Sequence, residues 1–88
     1  MASRTVQVPN RRGLHARASA KFVTLAAVQP AAVEVEKDGS RVCGTSIMGL
    51  MMLGAAMGDT ITIHAEGDGA DEAIAALAAL VEGRFGEE

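Results

Sequence analysis

Tryptophan and tyrosine are absent from the 88 residues, and phenylalanine occurs only at Phe22 and Phe85. A core with so few large rings has to be built from aliphatic and small side chains, which the 49% apolar content supplies. The same lack of aromatics argues against a domain that stacks RNA bases. Cysteine appears once, at Cys43, so an internal disulfide is excluded. No long apolar run opens the chain at MASRTVQVPN, so neither a signal peptide nor a membrane span is expected there, and the cytoplasm is the default compartment. The composition is that of an ordinary globular chain, and the length predicts one domain over residues 1–88.

Acidic residues are missing from positions 1–33, which carry Arg4, Arg11, Arg12, Arg17 and Lys21. Positions 59–88 reverse this, with eight acids against Arg84 alone. Such a split points to a local basic face for an anionic ligand or an acidic partner, whereas the net charge of −3 argues against nucleic acid.

Periodicity predicts seven elements. Thr5–Val8 alternates like a half-buried strand until Pro9-Asn10. From about Ala16 to Val28, Phe22, Val23, Ala26 and Ala27 recur at helical spacing, and Pro30 forbids continuation. Ala32–Glu36 and Ser40–Cys43 flank the tight Asp38-Gly39 turn as an antiparallel hairpin. Ser46 suits the N-cap of a short helix over Ile47–Leu53 that Gly54 ends. Thr60–Glu66 alternates again, and a last helix, capped by Asp68, carries the stripe Ala73, Ile74, Leu77, Leu80 and Val81. The order β-α-β-β-α-β-α, with strands apolar on one face only, predicts an α+β open-faced β-sandwich: a four-stranded antiparallel sheet with three helices on one face.

The chemistry concentrates in GLHARASAKF, residues 13–22. His15 sits where a glycine loop enters the first helix, so the unpaired N–H groups of its first turn point toward that position. Arg17, with Arg12 nearby, adds guanidinium groups suited to phosphate oxygens. The helix field disfavours imidazolium and keeps a ring nitrogen free as a nucleophile, an arrangement that suits a phosphoryl group accepted on His15 and passed on. No acid or metal-ligand set lies in the same stretch, which argues for a carrier whose chemistry its partners complete. No metal or cofactor is expected.

Gly13-Leu14-His15-Ala16-Arg17-Ala18-Ser19-Ala20 resembles the active-site signature of the histidine-containing phosphocarrier (HPr) family of the phosphoenolpyruvate-dependent phosphotransferase system. Ser46-Ile47-Met48-Gly49-Leu50-Met51-Met52-Leu53-Gly54 resembles that family's regulatory serine and its helix. The resemblance implies that His15 accepts the phosphoryl group from enzyme I through a ring nitrogen. Ala16, Arg17 and Arg12 then hold the phosphate, and an enzyme IIA-type domain is the acceptor. The protein is then a stoichiometric intermediate with no turnover of its own. It further implies modification of Ser46 by an HPr kinase/phosphorylase. Many members have proline where this chain has Ala18, a change that costs rigidity in a first turn rather than chemistry and points toward the nitrogen-related or regulatory branch.

Ile47, Met48, Met51 and Met52 span most of the circumference of a two-turn helix, so some of them must be exposed. An exposed methionine subset, rimmed by Arg17, Arg12 and Lys21, reads as a docking patch for several partners. Leu50 and Leu53 are expected in the core. The competing reading is a regulatory interaction module that binds targets through the Ser46 helix and whose phosphorylation state is a signal. His64 is expected to be a solvated sheet residue, Cys43 a small packed hydrophobe, and Glu87-Glu88 a frayed end.

Overall fold

The computed structural model describes residues 2–87. Strand β1 spans Ala2–Gln7, helix α1 Ala16–Ala27, β2 Ala32–Lys37, β3 Ser40–Cys43, α2 Ile47–Met52, β4 Thr60–Glu66 and α3 Ala70–Glu82, followed by a 3-10 turn at Arg84–Gly86. The strands form one antiparallel sheet in the order β1-β4-β2-β3, with the helices on one face, so the expected open-faced sandwich is present. Alternation sets the faces. Val6, Val33, Val35, Ile61, Ile63 and Ala65 point into the core, where they meet Phe22, Leu50, Leu77, Val81 and Phe85.

The other face stays wet and is tied by cross-strand pairs. The Thr5 and Thr62 hydroxyls are 2.9 Å apart, Arg41 Nε donates to Glu34 Oε1 at 2.5 Å, and His64 Nε2 lies 2.8 Å from Glu36 Oε1. His64 is therefore on the polar face but paired, with 17% of its side chain exposed. Cys43 also faces outward and does not pack in the core. The Thr45 side chain and backbone hydrogen-bond its sulfur and hold the thiol below its ordinary pKa.

Several boundaries differ from expectation. β1 starts three residues earlier, because Ala2, Ser3 and Arg4 pair with Ala65, His64 and Ile63 of β4, a long-range contact no local alternation reveals. Asp38 and Gly39 have φ of 51° and 83°, the double left-handed geometry of a two-residue hairpin turn, as expected. The cap of α3 is Gly69 in the left-handed region, not Asp68, which lies one residue outside and makes no capping bond. Asp71 and Glu72 nonetheless occupy the first turn of α3, where the helix dipole favours them.

The segment after α3 is ordered by packing. Arg84 and Phe85 hold φ of 60° and 53°, a conformation that costs a non-glycine residue about 1–3 kcal/mol. Phe85 is 1% exposed, so burial of the ring offsets that strain. Lys21 Nζ of α1 donates to the Phe85 carbonyl at 2.6 Å and fastens the turn to α1.

Candidate functional site

The site starts at a turn. Gly13 N–H donates to the Asn10 carbonyl at 3.1 Å, and Leu14 N–H donates to the Ala55 carbonyl at 3.0 Å, which fixes the chain as it enters α1. His15 is the N-cap, in extended conformation, and its Nδ1 accepts from the Arg17 N–H at 3.3 Å. Ser19 N–H bonds the His15 carbonyl at 2.9 Å. Ala16, Arg17 and Ala18 thus contribute the N–H groups that precede the first intrahelical bond, and that of Arg17 meets Nδ1.

The opposite side of the ring holds Glu87, which is ordered rather than frayed. Glu87 Oε2 is hydrogen-bonded to His15 Nε2, and Glu87 Oε1 accepts from Asn10 Nδ2 at 3.0 Å. Only 14% of the His15 side chain and 16% of the Glu87 side chain are exposed. Glu88 lies outside the described residues. The expectation that no acid accompanies His15 holds along the local sequence and fails in space. The one hint was compositional: Phe85 is one of two phenylalanines, and a residue so apolar anchors its neighbours if it is buried. Nothing local marked Asn10, which is fully buried and also donates from Nδ2 to the Gly13 carbonyl at 2.8 Å.

The Asn10 amide, the His15 ring and the Lys21 ammonium favour a charged Glu87 and, against the opposing effect of burial, hold its carboxyl below the ordinary range. A carboxylate with a depressed native pKa contributes stability that is present above the ordinary carboxylate range and lost as pH falls through and below it. Acid unfolding curves should therefore show parent stability falling more steeply in that window than in Glu87→Gln. Parallel curves would contradict the coupling.

Arg11, Arg12, Arg17, Lys21 and Arg84 line the open cleft against Glu87. The structure thus brings the expected Arg12, Arg17 and Lys21 together and adds Arg11 and Arg84. On α2, which packs beside α1, Ser46 is the N-cap and its Oγ accepts from Gly49 N–H at 3.0 Å. Leu50 and Leu53 are buried, while Ile47, Met48, Met51 and Met52 are all exposed, Met48 and Met52 by 70% and 80%. Met57, outside the Ser46 helix and marked by no motif, is also exposed and lines the basic cleft.

Fold and site together define a small open-faced sandwich that presents an imidazole to a helix N-terminus, against a carboxylate that lines a cleft of cations. A family model described as the PTS HPr component phosphorylation site matches residues 2–83. The phosphocarrier protein HPr of Cupriavidus necator is 45% identical over 87 residues, 99% of this chain and 98% of the relative. The phosphocarrier protein NPr of Shewanella violacea is 39% identical over 84 residues, 96% and 92% of the two chains. A crystal structure of HPr from Thermoanaerobacter tengcongensis superposes with a TM-score of 0.95 at 45% identity, covering 100% of this chain and 99% of that one. This chain belongs to the HPr family of phosphotransferase-system phosphocarriers.

Proposed function

We propose that residues 1–88 act as one cytoplasmic phosphocarrier domain that accepts a phosphoryl group on His15 Nδ1 from phosphorylated enzyme I and hands it to an enzyme IIA-type domain. The observation that carries this reading is the N-cap position of His15, whose Nδ1 accepts the Arg17 N–H and therefore presents a lone pair to the helix amides. In the transfer that pair forms the N–P bond while the bond from phosphorus to the donor breaks, its electrons leaving with the donor. The phosphate oxygens then meet the first-turn N–H groups, with Arg17 and Arg12 in the same basic cleft. Neither step asks for a metal. The exposed Ile47, Met48, Met51 and Met52 supply an adaptable apolar surface on α2, the helix that packs beside α1, suited to brief contacts with several partners.

The test is intact mass after incubation with enzyme I and phosphoenolpyruvate. One phosphoryl group should be gained and then lost on brief acid treatment. No gain with an enzyme I shown to be active would refute the reading.

Ser46 is the regulatory position in this reading, a target for an HPr kinase/phosphorylase. Its hydroxyl sits at a helix N-terminus beside the methionine surface, where a phosphate adds nearly two negative charges to the docking face. Ser46→Asp keeps a good N-cap and should leave stability nearly unchanged. Phosphoryl acceptance from enzyme I should slow about tenfold, through like-charge repulsion of an acidic donor surface. An unaltered rate would remove Ser46 from regulation. The alternative reading, a signalling module of the nitrogen-related branch, rests on the 39% identity to NPr, against 45% to HPr, and transfer to a nitrogen-type rather than a sugar-type enzyme IIA distinguishes it.

A further inference from the structure

Building on the phosphocarrier reading, we propose that Glu87 is a positioning residue for His15: its carboxylate holds the imidazole as the Nε2–H tautomer and keeps the Nδ1 lone pair aimed at the start of α1. Two contacts on opposite edges of the ring agree. Arg17 N–H donates to Nδ1, which demands a lone pair there, and the Glu87 carboxylate, which can only accept, demands the proton on Nε2.

The carboxylate is itself held. Its second oxygen takes a hydrogen bond from Asn10 Nδ2, whose other partner is the Gly13 carbonyl. Both neighbours of that nitrogen are acceptors, so the buried amide has one orientation. The backbone of the segment is pinned two residues before Glu87, by the buried Phe85 ring and by Lys21 Nζ on the Phe85 carbonyl. A chain pinned in this way delivers one carboxylate to one ring edge, as the carboxylate behind a catalytic histidine does.

The arrangement suits the transfer. As Nδ1 forms its bond to phosphorus the ring gains positive charge, the proton stays on Nε2, and the facing carboxylate offsets that charge. When the phosphoryl group moves on, the bonding pair stays on Nδ1 and the ring returns to neutrality without proton exchange. The arginines of the cleft, Arg12 and Arg17 among them, remain available to the phosphate oxygens.

The experiment compares 15N spectra of the His15 ring in the unphosphorylated parent and in Glu87→Gln, at alkaline pH where the ring is neutral. Rates of phosphoryl acceptance and melting curves are measured on the same samples. The parent should show Nε2–H alone. Glu87→Gln, still folded, should show a mixture with Nδ1–H and accept phosphate roughly 10- to 100-fold more slowly, and Glu87→Asp should recover part of both. An unchanged tautomer in Glu87→Gln overturns the proposal whatever the rate does, because Glu87 would then act through docking or stability. The spectra need no phosphoryl donor. A tautomer shift in a protein that enzyme I never phosphorylates would therefore overturn the carrier reading and not the contact.

Discussion

His15→Ala should gain no phosphoryl group from enzyme I and phosphoenolpyruvate under conditions that load the parent fully. The expected loss is at least about 10⁴-fold, because removing a nucleophile abolishes the step rather than slowing it. Nothing nearby substitutes. Ser19, one turn into α1, is fully buried and its hydroxyl donates to the Leu14 carbonyl at 3.1 Å. The other histidine, His64, lies on the open face of the sheet against Glu36, with the core between it and α1. Folding should survive the substitution, since only the cap contact to Arg17 N–H and the contact to Glu87 are lost, and caps are worth about 1 kcal/mol. An acid-labile phosphate on a folded His15→Ala would place the acceptor elsewhere and sink the assignment.

The portion of this site legible in the sequence was the portion built from neighbours. Gly13, His15 and Arg17 lie within five residues, and a glycine before a helix start implies amides facing whatever caps it. The same locality made β3, β4 and the Ser46 cap readable to the residue. Contacts that cross the chain were not readable. Asn10 to Glu87 and His15 to Glu87 span 77 and 72 residues, and they depend on a left-handed turn at Arg84 and Phe85 that no propensity favours. The turn exists because Phe85 is buried. A hydrophobic term outweighs a local backbone preference, and the side effect is a carboxylate placed against a histidine. The early start of β1 has the same origin, with pairing to β4 overriding weak local alternation.

That dependence makes Gly13 the position where fold and site are most tightly joined, and Gly13→Ala should cost about 3 kcal/mol. Two effects combine. At φ +63° a side chain is strained whatever the space around it. A Cβ there would also stand 2.3 Å from the Ala55 carbonyl oxygen and 2.9 Å from Ala56 Cα, both backbone atoms that cannot swing aside as a side chain would. The loop at 55–56 must retreat, which breaks the 3.0 Å bond from Leu14 N–H to the Ala55 carbonyl. Gly39→Ala is the control: its φ is +83° but nothing lies within 4 Å, so only strain of about 1–2 kcal/mol applies. In a domain of this size the Gly13 variant should melt roughly 12 to 24 °C lower. Gly13 also lends its carbonyl to the Asn10 amide that holds Glu87, so its displacement should loosen the His15 ring before the protein unfolds. Phosphoryl acceptance at a temperature where Gly13→Ala is still folded should then be slower than in Gly39→Ala. Equal melting points for the two variants would mean that the 55–56 loop yields freely, and that the entry to α1 is not fixed in the way its contacts imply.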